Sequence, residues 1–121
     1  PYRRATIGSN ITLMLEKRPT MIKETLQLFN EGTPILNILQ DGRRQELLVL
    51  LCKKGPLTVN QLTELVTISR PAVSHHLKLM LDAGILSVEQ KGLERYYQSD
   101  LGPTLDWLKA LTASLEDDLQ K

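Results

Sequence analysis

Residues 69–80, SRPAVSHHLKLM, decide how the rest of this chain is read. Ser69 carries an oxygen able to cap a helix, and Pro71 falls in the first turn, where backbone donors have no helical partner in any case. At about 100° per residue, with Val73 as zero, Leu79, Ala72, His76, Met80, Val73, Leu77 and Leu81 share one arc from roughly −120° to +80°. Ser74, Lys78, Pro71, Asp82 and His75 take the opposite arc. The two histidines, adjacent in sequence, therefore diverge, His76 among apolar neighbours and His75 among polar ones. Histidines chelate one ion from a helix when three or four residues apart, and no further histidine or second cysteine is present to complete a zinc shell. Neither a metal site nor a cofactor is expected.

Upstream, Thr58 opens a helix over VNQLTELV with Leu62, Leu65 and Val66 inward. A tight connection, residues 67–69, then leads into the helix begun by Ser69, which describes a helix-turn-helix. Before it, Asp41 caps a strongly apolar helix in which Leu47, Leu48, Leu50 and Leu51 line the inner side until Gly55 and Pro56 end it. Cys52, within ELLVLLCKK, is expected to be a buried core thiol. Earlier still, Thr20 caps a helix with Ile22, Leu26 and Phe29 at helical spacing; Gly32 is expected to stop it and Pro34 to start a short helix, ILNILQ. Residues 1–19 form an N-terminal arm and extended segment. The arm is either a basic tail that touches phosphate or a solvated terminus, and ITLMLEKR either a short strand or a turn of helix.

Downstream, Gly84 ends the helix of the opening stretch. ILSVEQ and LERYYQ around Lys91 and Gly92 read as a hairpin. Asp100, Gly102 and Pro103 break the chain before a final helix, where Leu105, Leu108, Leu111, Leu115 and Leu119 recur every three or four residues beside Trp107.

The chain has 121 residues, 41% hydrophobic and 24% charged, with one Trp, three Tyr and one Phe. That fits one leucine-rich, mainly helical domain over residues 20–121. No apolar run approaches the roughly 20 residues needed to cross a bilayer, and the order of a secretory signal is missing, so a cytoplasmic protein without membrane contact is expected. The net charge is +1, but residues 1–78 carry 11 Lys/Arg against 6 Asp/Glu, and residues 79–121 carry 4 against 8. An anionic partner should meet the first part or the local basic clusters. Nothing forms a nucleophile elbow, phosphate loop or carboxylate pair, so no enzyme is expected. The outward arc suits the major groove of double-stranded DNA: Arg70 can hold guanine bidentately, Ser74 and His75 offer polar contacts, and Lys78 anchors phosphate.

SRPAVSHHLKLMLDAGIL followed by VEQKGLERYYQ closely resembles the ArsR/SmtB-type winged helix-turn-helix repressors, whose pattern runs AVSxHLxxLxxAGL into a basic wing ending in a tyrosine pair. DGRRQELLVLL resembles the family's DPTRxxILxLL helix, with Asp41, Arg44, Leu48 and Leu51 in place and Gly42 where proline is usual. Residues 34 to 98 fit. The resemblance implies a mostly α fold with a small β-hairpin wing, residues 69–81 as recognition helix and 85–98 as wing. It implies that Lys91 and Arg95 contact the sugar-phosphate backbone and that His76 is the core histidine of the HL pair. It further implies a homodimer built by the terminal helices through Ile22, Leu26, Phe29, Leu105, Leu108, Leu111 and Leu115, with recognition helices about 34 Å apart over an inverted repeat. The family's usual metal sites are missing: ELVTIS lacks the ELCVCDL cysteines, and residues 103–121 contain no histidine. The expected function is a DNA-binding transcriptional repressor. The alternatives are a winged-helix protein-interaction module and a metal- or small-molecule-responsive switch with a non-standard effector site.

Overall fold

The computed structural model describes residues 20–120, with side chains from residue 23 onward. The expectations for the arm, for ITLMLEKR and for the side chain of Ile22 lie outside the described residues. Seven elements follow in order: α1 (Thr20–Leu39), α2 (Gly42–Lys54), α3 (Val59–Thr63), α4 (Arg70–Asp82), β1 (Leu86–Lys91), β2 (Glu94–Ser99) and α5 (Gly102–Leu119). They group into two compact units, Ile35–Leu101 and the described part of Pro1–Pro34 with Gly102–Lys121.

In the unit Ile35–Leu101 each helix start is fixed by the residue chemistry before it. Asp41 Oδ1 accepts from the amides of Arg43 at 2.8 Å and Arg44 at 3.4 Å. Thr58 and Gln61 form a reciprocal capping box, and Ser69 Oγ accepts from the Ala72 amide at 3.3 Å, so α4 begins at Arg70. Gly84, at φ +82°, ends α4: its amide bonds to the Leu81 carbonyl and the Ile85 amide to the Met80 carbonyl, a Schellman pair. Ile85 is thereby turned into the core and belongs to neither strand. Leu47, Leu51, Leu62, Val73, Leu77, Met80 and Ile85 are essentially without solvent contact, and Leu86 and Tyr97 close the cluster. Each such leucine contributes roughly 1.5–3 kcal/mol by leaving water.

The hairpin pairs Leu86 with Ser99 through to Lys91 with Glu94 in antiparallel register. Its turn is Gly92-Leu93, one residue later than the sequence reading placed it. Gly92 at φ +63° is the first central residue, which matches a two-residue II′ connection. Leu57 adds an isolated bridge to Tyr97, tying the segment before α3 to the wing by bonds of 2.9 and 2.8 Å.

Four further expectations are corrected. α1 continues through Gly32 and Pro34 as one helix. Proline in a helix interior costs about 3 kcal/mol, and packing on both sides offsets it: Gly32 is buried against Trp107, and Ile35, Ile38 and Leu39 lean on the core of the other unit's own cluster. α3 stops at Thr63, because the Leu65 amide bonds to Leu62 in a tighter turn, and this leaves Leu65 43% exposed. On α2 Leu48 and Leu50 are only partly buried. Cys52 is exposed: Leu47 and Leu51 share the inward stripe, and the next residue is rotated about 100° away from it.

In the second unit α1 and α5 meet through a polar and an aromatic contact. Trp107, 1% exposed, donates its indole N–H to the Leu28 carbonyl at 2.6 Å. Thr25 bonds to Ser114 at 2.5 Å and to Asp118 at 2.7 Å. The buried face of α5 is therefore Thr104 and Trp107, with Ser114 and Asp118 further along. Leu105, Leu108 and Leu115 are turned away from it and stay exposed, Leu111 is half-buried, and Phe29 of α1 is 42% exposed.

Candidate nucleic-acid interface

α4 and the wing form the walls of an open cleft of about 600 Å³ lined by Arg70, Pro71, Ser74, His75, Lys78, Leu81, Asp82, Arg95 and Tyr97. Five of the six side chains expected to touch DNA are thus brought together, with three cations against the single carboxylate of Asp82. A recess of about 300 Å³ continues from it toward α3, sharing Arg70, Ser74, Arg95 and Tyr97 and adding Thr58, Val59, Asn60, Leu93 and Glu94.

Lys91 is the exception. Paired residues of a hairpin share a face and successive ones alternate, so the register puts Gln90, Arg95, Val88 and Tyr97 on one side and Lys91, Glu94, Glu89 and Tyr96 on the other. Arg95 lies over the Tyr97 ring and Lys91 over the Tyr96 ring, each 5.6 Å from the centroid, so both wing cations are steadied by aromatic faces. Leu93 at the wing tip is 98% exposed.

Lys78 pairs with Asp82 at 3.4 Å, but both side chains are more than half exposed. Such a pair is worth less than about 1 kcal/mol and gives way readily to a phosphate. Arg70 donates its Nε–H to Asn60 Oδ1 at 2.6 Å. Sequence reasoning missed Asn60, whose only signal was its place in the first turn of a helix that packs beside α4.

The histidines part as the helical arcs require: His75 is exposed and His76 half-buried, with ring centroids 5.9 Å apart. His76 is more than a space filler. Its Nδ1 accepts from Arg44 Nε at 3.1 Å, while Arg44 also reaches the Ile38 carbonyl at 3.4 Å. The guanidinium cannot accept, so the imidazole is neutral with its proton on Nε2. Helices α4, α2 and the end of α1 are joined through this one arginine.

Burial holds the His76 pKa below the ordinary 6.5, opposed by Asp41 and reinforced by the charges of Arg44, His75 and Arg43. A depressed imidazole means that the unfolded chain takes up the proton first, so stability is full above pH 6.5 and falls as pH drops through the lowered folded value. The Asp41 carboxyl is also lowered, chiefly by the Arg43 amide, but its window opens only below 3.8. Urea midpoints at pH 7 and pH 5 should therefore drop more for the wild type than for His76→Asn, which keeps an acceptor near the Nδ1 position and cannot titrate. Equal drops would show that His76 is not the group responsible.

Among the described residues, no three His, Cys, Asp or Glu side chains are grouped so as to hold a metal ion, and no helix is long and apolar enough to cross a membrane.

A helix-turn-helix of α3 and α4, followed directly by a two-stranded wing on the same core, defines a winged helix-turn-helix protein. The pattern described as "Bacterial regulatory protein, arsR family" matches residues 35–88. A transcriptional repressor of Bacillus subtilis, SdpR, is 30% identical over 88 residues, covering 70% of this chain and 97% of the relative. The chain belongs to the arsR family of bacterial regulatory proteins. The arsenical resistance operon repressor of Bacillus subtilis is 39% identical over 59 residues, 49% of this chain, and the chain spans only 56% of that relative's length. Among solved structures, a homodimeric winged helix-turn-helix DNA-binding domain from Mycobacterium bovis matches 76% of this chain and 83% of its own at 23% identity and a TM-score of 0.58, a likeness of fold.

Proposed function

We propose that this chain is a homodimeric, cytoplasmic transcriptional repressor that reads an inverted repeat in double-stranded DNA, with residues 20–121 forming the winged helix-turn-helix and its terminal dimerisation helices. The observation that carries this reading is the cleft in which Arg70, Ser74, His75 and Lys78 of α4 meet Arg95 of the wing. A recognition helix in the major groove presents such side chains to base edges while the wing cations neutralise phosphates. The exposed leucines of α5, with Phe29, supply the apolar surface that a two-fold interface would cover. Relatives named as repressors and a homodimeric fold neighbour support the reading.

Selection from random duplexes tests it. The wild type should enrich a two-fold symmetric sequence. Arg70→Ala should alter the base preferred at one position of each half-site, whereas Lys91→Ala should weaken all sequences alike. Binding no stronger to selected than to random DNA would sink the proposal, and the reverse pattern in the two variants would overturn the role assignments.

A further inference from the structure

We propose that Asn60 is a specificity-determining positioning residue: its side-chain oxygen aims Arg70, so that base selection rests on a pair of residues from the two helices of the helix-turn-helix. The inference rests on the DNA-binding reading above.

Asn60 sits in the first turn of α3, where the capping box is completed by Thr58 and Gln61 without it. Its amide is left uncommitted to the helix start, and Oδ1 instead accepts the Arg70 Nε–H at 2.6 Å, across ten residues of chain. Arg70 is the first residue of α4, so its backbone is fixed by the Ser69 cap, yet a long exposed arginine has many rotamers to lose when it docks. The bond to Asn60 selects among them in advance. It also decides which donors remain: with Nε taken, the terminal Nη1 and Nη2 form the fork available to guanine O6 and N7.

The surroundings give this choice a consequence. Arg70 and Asn60 share the recess with Glu94, Arg95 and Ser74. A guanidinium released from Asn60 keeps its charge but loses its aim, and it meets DNA as a diffuse cation instead of an oriented fork. In free protein the exposed bond adds little stability, but a duplex closing over the cleft removes the water that competes with it.

The experiment measures binding of wild type, Asn60→Ala, Asn60→Asp, Arg70→Ala and the Asn60→Ala/Arg70→Ala double variant to the selected duplex and to a panel carrying every single-base change. Wild type should prefer guanine by about tenfold or more at one position per half-site. Asn60→Ala should cut that preference to about threefold or less at the same position as Arg70→Ala, leave the other positions unchanged, and add nothing in the double variant. Asn60→Asp keeps the acceptor, so it should retain the base preference while weakening every duplex through its added charge. Alanine is a better helix former than asparagine, so melting temperature should not fall in Asn60→Ala. Full retention of the preference in Asn60→Ala, an even loss over all sequences, or a change at a different position from Arg70→Ala would each overturn the inference while leaving DNA binding intact. Wild type that binds only nonspecifically would instead bring down the DNA reading, and the inference with it.

Discussion

Gly32→Ala should lower the melting temperature by about 10 °C or more, although it adds one methyl group to a helix. A Cβ built at Gly32 falls 1.8 Å from Trp107 Cζ2, with Cε2 at 2.2 Å and Cη2 at 2.4 Å. These are atoms of one rigid ring, so no rotation of a flexible end relieves the overlap. The indole must leave, and it takes with it the 2.6 Å bond to the Leu28 carbonyl. Losing a buried tryptophan's packing costs about 3–5 kcal/mol, far more than the gain in helix propensity of about 1 kcal/mol from glycine to alanine. Trp107 is the sole tryptophan of the chain, so its emission should shift to longer wavelength in parallel. Trp107→Leu in the same chain should recover part of the lost stability by vacating the space. A Gly32→Ala protein that melts within 2 °C or so of wild type would show that α1 and α5 do not pack in this way.

The second large effect is on DNA affinity. Arg70, Lys78, Lys91 and Arg95 occur once per chain, so a dimer would present about eight cations to the duplex. If six to eight phosphates are neutralised, raising salt from about 50 to 200 mM should lower affinity by about 10³–10⁴-fold. Lys91→Ala removes two of these contacts per dimer and should make the plot of log affinity against log salt shallower by about two. Arg95→Ala should do the same and also loosen the cleft wall, since Arg95 packs over Tyr97 inside it. Lys109, exposed on α5 and belonging to a different compact unit from the wing, serves as a control whose replacement leaves the slope unchanged. Affinity nearly independent of salt would contradict phosphate neutralisation by these side chains.

Much of this surface could be read from residue types and spacing. The caps at Asp41, Thr58 and Ser69 act where the sequence places them because each satisfies amides that no helix can satisfy for itself. The separation of His75 from His76 follows from helical geometry alone. At α1 the pattern went astray because a distant residue had intervened. Gly32 and Pro34 look like a helix end because glycine and proline are poor helix formers, and Trp107, some 75 positions away, is what makes glycine necessary there. Cys52 looks buried because its neighbours are leucines, but only two of them, Leu47 and Leu51, fall on the inward stripe. The hairpin turn lies one residue later than the pattern suggests because Gly92, at φ +63°, takes the first central position of a two-residue turn, and with a period of two the register then fixes which side of the wing each cation occupies.

By itself the sequence determined the helix-turn-helix, its caps, the wing and the polar face of the recognition helix, since these depend on neighbours within one or two turns. Tertiary structure alone decided that Arg95 faces the cleft and Lys91 the other side, that His76 carries Arg44, and that Asn60 holds Arg70. Each of those depends on where two separate elements come to rest, and no local periodicity encodes the approach of one element to another.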